Sequence, residues 1–545
     1  MTPPGSFAEL IGRAASARPD QPAISDGERS LNWRQLADQV ARLAAALADA
    51  GLHTDDRVAI QAASSMEFVL SYLAALQAGL VVVPINPGYT LPELEQILDD
   101  SGARLLITDS VAAIGAAEEL RERHAGLRVV LAAPAGTAEL DTVAGLLDAA
   151  GDRRLDQPGR TGVELAVLLY TSGTSGRPRG AMLPVRALLA NLDQVGRLAP
   201  PPVTAEDRVF LPLPLFHVYG LNAGLGLALY FGASLILAGR FDPVGTLREL
   251  AAARPTVVVG APAEFRLWAE QPEFGTAFAG VRLGLSGSAP LDTELVARYA
   301  ELGVGLYEGY GLTEAAPVVT LNLTPDPAGT GWLPPKPGSV GRPLPGVEVR
   351  LVEDDGEPAE PGDLGFIEVR GANLFTGYWP DGAGGPDADG WFATGDLAVA
   401  DDDGDYYLVG RRSDLVLVNG FNVYPAEVEA VLARLPGVRE VAVLGLREAG
   451  LPGGDTELLV AYVVPEPGVP LAEDELLAQA ARSLARFKLP RRVIEVDALP
   501  YTATGKVMKW RLGPGRDEPS PADGQPPAGD GQPPAENTRP PAGDA

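Results

Sequence analysis

Short apolar runs rich in Val, Ile and Leu alternate with helix-period segments over the first 350 or so residues. That alternation confines the chain to an α/β architecture with buried sheets. RVAIQA (57–62), ARLLITD (103–109), LRVVLAA (127–133) and PTVVVGA (255–261) are predicted strands, and Ala41–Ala48 and LDTELVARYAEL (291–302) predicted helices. From about Pro343 the texture changes to strands and turns, in VEVRLVEDDGEP, LGFIEVRG and DGDYYLVGRRSDLVLVNG. A smaller α+β pattern follows: helix PAEVEAVLARL, strands VREVAVLGL and ELLVAYVVPEP, then helix AEDELLAQAARSLARF, with globular character ending near Leu512. Residues 513–545 hold nine prolines, six glycines and a repeated DGQPPA with no large apolar side chain, the composition of a disordered acidic tail.

Composition removes whole classes of function. A formal net charge of −29 is wrong for affinity built on nucleic-acid phosphates or an anionic membrane. With no cysteine there are no disulfides, zinc–thiolate sites or thiol nucleophiles. The three histidines (His53, His124, His217) cannot make a His-rich metal centre, so any divalent ion would be held by carboxylates and substrate phosphates, which suits Mg2+. Only four lysines (Lys336, Lys488, Lys506, Lys509) stand against 39 arginines, so arginine is used almost wherever a cation will serve. The N-terminus lacks the pattern of a signal peptide. Val209–Gly239 is uncharged and long enough to span a bilayer, but Pro212, Pro214, His217 and its glycines make it strand, loop, buried helix and strand. A soluble, cytoplasmic protein is expected, with oligomeric state left open.

The strand Leu165–Tyr170 runs directly into TSGTSGRPRG (Thr171–Gly180). Hydroxyls, open glycine backbone and two arginines are what a polyphosphate needs, although the spacing is not that of a Walker loop. On composition alone a Gly/Ser surface turn is an equal reading. Further segments are LPLPLFHVYG (211–220), GLSGSAP (284–290), YEGYGLTE (307–314), WFATGDLA (391–398), GRRSD (410–414), VNGFNVYPAEVE (418–429) and LPYTATGKVMK (499–509).

In order and spacing, over about residues 5–512, these segments resemble the adenylate-forming (AMP-binding) superfamily, and acyl-CoA synthetases in particular. The resemblance implies attack of a carboxylate on the α-phosphate of Mg–ATP, then transfer of the acyl group to CoA. It makes Thr171, Ser172, Gly173, Thr174, Ser175, Gly176 and Arg179 the phosphate grip, with Arg179 where the family usually has lysine. Gly287, Ser288, Ala289, Glu308, Gly309, Tyr310 and Gly311 would surround adenine, with Thr313 near the phosphates. Glu314, with Thr171, would hold Mg2+. Asp396 resembles the ribose ligand, and Arg411 would assist at ribose or phosphate. Lys506 would meet the oxygen between acyl group and phosphate. His217 stands where amino-acid adenylation domains commonly place an aspartate, which disfavours an amino-acid substrate. Gly420 would face the pantetheine thiol, with Lys488 and Arg491 in RFKLPRR meeting CoA phosphates, unless that run is only a solvated basic face. Ser413 falls at the hinge (411–413) between a large domain (1–410) and a mobile α+β lid (414–512). GAPAEF (260–265), with its small residues, is expected to wall an acyl pocket. A medium- or long-chain fatty acid leads as substrate. An aryl-CoA ligase, an enzyme loading a carrier protein and a non-enzymatic nucleotide-binding scaffold are the alternatives.

Overall fold

The computed structural model describes residues 4–27, 29–132, 140–156, 159–172, 178–329, 331–353, 355–360, 362–418, 421–447, 457–502 and 505–512. The expectations for Gly173, Thr174, Ser175, Gly176, Gly420 and the 513–545 tail lie outside these residues, as does that for the Ser172 side chain.

Two large sheets dominate. A six-stranded sheet has the order 128–131, 105–108, 57–61, 81–84, 165–172, 178–184, parallel except for its last pair. A nine-stranded sheet has a parallel centre, with 305–311, 283–286, 257–260, 208–211, 234–237 and 22–26 side by side. Its edges are antiparallel, with 318–321 and 342–343 beyond one end and 29–32 at the other. Both sheets are covered on two faces, which is why VVVP, LLIT and VVVG read as unbroken apolar runs. The helices Phe7–Ala17, Trp33–Asp49 and Met66–Gln77 pack between them in the largest core cluster. Trp268, Phe278 and Tyr299 centre a second cluster on the far face of the nine-stranded sheet. Segment 209–239 folds as foreseen, with strands Arg208–Leu211 and Ser234–Leu237 flanking a buried helical stretch, Tyr219–Phe231. Among the described residues no helix is long and apolar enough to cross a membrane.

The β-rich part is a four-stranded antiparallel meander, Val347–Val352, Gly365–Gly371, Trp391–Ala400 and Tyr406–Arg411. A short turn of 3-10 helix, Arg412–Asp414, leads from its last strand to a unit with its own core around Val423, Val428, Leu432, Val443 and Ala461. That unit carries a sheet of 438–447, 457–465 and 492–495, the last strand parallel to the second. The helix expected over AEDELLAQAARSLARF is only Glu473–Ala480. The chain then turns so that Leu484, Phe487 and Leu489 reach this small core, which a straight helix would not allow.

Candidate active site

A cavity of about 2340 Å3 opens at the carboxyl ends of the parallel strands and is closed from above by the C-terminal unit. Open parallel sheets commonly bind ligands at these strand ends. Strand 283–286 delivers Gly287 and Ser288 to the wall, and strand 305–311 delivers Gly309, Tyr310 and Gly311, followed by Thr313 and Glu314. Ser288 holds φ +79°, a conformation costing a non-glycine residue about 1 kcal/mol. Gly311 has no alternative, since a Cβ there would lie 2.1 Å from the Pro317 carbonyl oxygen. Ala289 and Glu308 adjoin these residues in the chain without lining the cavity. The Glu308 carboxylate accepts from the Leu291 N–H at 3.2 Å, and burial pushes its pKa up to about 8.

Thr171 and Arg179 face each other across the antiparallel pair 165–172 and 178–184, and both line the cavity. The Arg179 guanidinium lies 3.7 Å over the Tyr378 ring, and the Tyr378 hydroxyl donates to Glu314 Oε1 at 2.6 Å. Asp396 sits directly opposite Arg411 in the meander, so the pairing register itself makes the 2.6 Å contact between Arg411 Nε and Asp396 Oδ1. The Tyr310 hydroxyl donates to the other Asp396 oxygen, also at 2.6 Å. Asp396 is thus buried with both oxygens engaged, while Tyr310 and Arg411 reach the cavity.

Lys506 enters from the C-terminal unit. Its backbone N–H donates to Thr502 Oγ1 at 3.0 Å, and its carbonyl accepts from the Thr502 N–H at 2.8 Å, so a tight loop presents the ammonium to the cavity. Burial, then the Arg411 charge, lowers the Lys506 pKa, while Asp414 and Asp396 act against that shift. His217 also lines the cavity, and its Nδ1 accepts from the Tyr219 N–H at 3.3 Å. Burial lowers the His217 pKa to about 4, so the ring is neutral at physiological pH.

Other expected residues lie apart from the cavity. The Lys488 ammonium is held by both Glu427 oxygens at 2.6 and 2.7 Å. Arg491 is exposed on the outer surface, and the Ser413 hydroxyl donates to Asp414 Oδ1 at 3.1 Å. GAPAEF does not wall an acyl pocket with its alanines. Ala261 and Ala263 instead receive the Lys506 loop, a Cβ on Gly505 falling 3.5 and 3.3 Å from theirs, and Val259 is the side chain that reaches the cavity.

The model for "AMP-binding enzyme" matches residues 11–379, and that for "AMP-binding enzyme C-terminal domain" matches 427–506. The chain belongs to the AMP-binding enzyme family. Within it the chain groups with AMP-forming acid–CoA ligases. A feruloyl-CoA synthase of Amycolatopsis sp is 37% identical over 506 residues, 91% of this chain and 96% of that protein. A long-chain-fatty-acid–CoA ligase of Salmonella typhimurium is 34% identical over 550 residues, 94% of each chain. The ATP-bound crystal structure of MatB from Rhodopseudomonas palustris superposes with a TM-score of 0.81 at 33% identity, covering 92% of this chain and 97% of that one. Against this family background, Tyr378 and Arg240 are among the cavity residues that escaped the sequence reading. Tyr378 lies in LFTGYW, where nothing local distinguishes it from a core aromatic. Arg240 lines the cavity with no carboxylate partner among the described residues, one arginine among 39.

Proposed function

We propose that this AMP-binding enzyme is a fatty acid–CoA ligase acting on medium- or long-chain acids. A carboxylate oxygen attacks the ATP α-phosphorus, the bond to the bridging oxygen breaks, and pyrophosphate leaves. The CoA sulfur, as thiolate, then attacks the acyl carbon and AMP departs.

The observation that carries the choice of acid is the wall between helix Val185–Gly196 and the helical stretch Tyr219–Phe231. There the cavity is bounded by Leu192, Val195, Ala223, Leu227, Val318 and Leu321, with no charged side chain among them. Its polar groups are already satisfied: Asn191 Nδ2 donates to the Val318 carbonyl at 2.7 Å, and the Tyr219 hydroxyl donates to the Leu285 carbonyl at 3.1 Å. With His217 neutral, an ammonium buried against this wall would find no counter-charge, whereas an alkyl chain asks for none.

In this reading Thr171 and Arg179 grip the phosphates, assisted by Thr313. Gly287, Ser288, Gly309, Tyr310 and Gly311 enclose adenine, backed by Ala289 and Glu308, and Asp396 with Arg411 takes the ribose. The Glu314 carboxylate has one oxygen without a hydrogen-bond partner among the described residues. With the Thr171 hydroxyl on the same cavity wall, that donor set fits Mg2+, a hard cation satisfied by oxygen and phosphate. Bound there, Mg2+ would neutralise charge on the phosphates. Lys506 stabilises the charge shared by attacking carboxylate and α-phosphate. The lid, 414–512, then turns about 411–413 to offer its Gly420 face to the thiol. Arg240, a cation on the cavity wall without a carboxylate partner among the described residues, and the exposed Arg491 are available to CoA phosphates, while Lys488 is held by Glu427. Free CoA and ATP as co-substrates suit the cytoplasm.

Pyrophosphate release across a panel of acids, with and without CoA, tests the proposal. Decanoate or palmitate should lead, with amino acids poor. The 37% identity to a feruloyl-CoA synthase supports a second reading, an aryl-CoA ligase, which a lead by ferulate would establish. Turnover with a carrier protein but not CoA would overturn both.

A further inference from the structure

We propose that Tyr378 is a positioning residue that sets the phosphate and metal halves of the nucleotide site relative to each other, its ring seating Arg179 and its hydroxyl orienting Glu314. The proposal rests on the reading of Glu314 as a Mg2+ ligand. Residues 376–379 lie as an added strand along 178–184: the Thr376 N–H donates to the Met182 carbonyl at 3.0 Å, the Met182 N–H to that of Gly377 at 3.0 Å, and the Trp379 N–H to that of Gly180 at 2.8 Å. The same segment grips the Glu314 turn, because the Phe375 N–H donates to the Glu314 carbonyl at 2.8 Å. Gly377 makes the close approach possible, with φ +118° and a would-be Cβ 2.0 Å from the Gly382 carbonyl oxygen.

Tyr378 therefore stands where two distant pieces of chain meet. The stack on Arg179 takes one face of the guanidinium and leaves its N–H edge free for phosphate oxygens. Arginine at this position has a use that lysine lacks, since a planar cation can lie flat on the ring. The hydroxyl fixes one Glu314 oxygen and so aims the other.

The test compares Tyr378→Phe, Glu314→Gln and the double variant with the unaltered protein. ATP binding is measured by calorimetry in Mg2+ and in EDTA, and Mn2+ binding to the ATP complex by electron paramagnetic resonance. Tyr378→Phe keeps the stack and loses the hydroxyl. It should weaken metal–ATP binding about 10-fold while leaving metal-free ATP binding within 2-fold, a hydrogen bond to a charged group being lost. The metal concentration for half-maximal adenylation should rise with it, at constant KM for the acid. Tyr378→Leu removes the stack as well and should weaken metal-free ATP binding too. In the Glu314→Gln background, Tyr378→Phe should add almost nothing. Equal loss in Mg2+ and EDTA, or full additivity with Glu314→Gln, would overturn the inference. If Glu314→Gln itself leaves metal dependence unchanged, the reading of Glu314 fails and this inference with it. If Glu314→Gln abolishes the dependence and Tyr378→Phe does not move it, only the role of Tyr378 fails.

Discussion

Replacing Gly505 by alanine perturbs the point where the lid loop meets the large domain. Gly505 has φ +78°, and a Cβ there would fall 3.3 Å from the Ala263 Cβ and 3.5 Å from that of Ala261. Two costs separate cleanly. The left-handed backbone costs an L-residue about 1 kcal/mol wherever the lid stands. The crowding of Ala263, also about 1 kcal/mol, arises only while the loop is docked as in this structure. The first lowers the melting temperature and leaves the partition between lid orientations alone. The second raises the docked orientation that presents Lys506, so adenylation should slow about 5-fold. Thioester formation from supplied acyl-adenylate should stay within 2-fold, because in the proposed cycle the lid has then turned away. First-turnover pyrophosphate release without CoA measures one half-reaction, and acyl-CoA formation from the preformed adenylate measures the other. Ala263→Gly removes the nearer methyl, so the double variant should regain adenylation but not the lost melting temperature. Equal loss in both half-reactions, or no rescue by Ala263→Gly, refutes the docking argument.

Lys506→Ala should slow adenylation about 100- to 1000-fold, the loss of one preorganised charged donor, and spare thioester formation; parallel falls in both would contradict its role. Asp396→Ala leaves the half-exposed Arg411 guanidinium without its carboxylate and the Tyr310 hydroxyl without its acceptor, a loss of about 1–2 kcal/mol readable by urea unfolding. Burial raises Glu264 to about 8, so the folded chain holds a proton that the unfolded chain releases, and stability falls as pH rises from about 4.5 through 8. Glu264→Gln should therefore stabilise on the order of 3 kcal/mol at pH 9 and hardly at pH 4; equal effects at both would exclude the linkage. His217 has the opposite sign: its pKa is lowered from 6.5 to about 4, so stability falls as pH drops through that window, and His217→Gln should flatten that part of the melting profile.

What could be read from the chain beforehand was whatever local composition encodes. Buried parallel strands announce themselves as VVVP or VVVG because both faces are covered and apolar side chains fill them. Strand ends carrying clustered glycines and hydroxyls, as in GLSGSAP and YEGYGLTE, mark places where backbone must come close to a ligand, and the cavity lies there. Asp396 and Arg411 were legible as separate motif residues, but their contact follows from the register of two strands, which no single segment states. Lys488 shows the complementary limit. A basic run looks like an anion site until the fold brings Glu427, 61 residues earlier, onto the ammonium.

The alanines of GAPAEF and the tyrosine of LFTGYW make the physical limit plain. Small residues permit close approach without saying what approaches, so room for an acyl chain and room for Gly505 look identical in sequence. Tyr378 is one of 14 tyrosines, and its partners come from 199 residues before it (Arg179) and 64 before it (Glu314). Neither partner changes the local pattern around LFTGYW, because a ring stacked on a guanidinium and a ring packed in a core need the same residue. A site assembled from distant segments is written in the contacts between elements. Local pattern shows only that each segment is fit to make one, and this is why the residues proposed to touch the nucleotide were easier to find than the residue proposed to hold two of them in place.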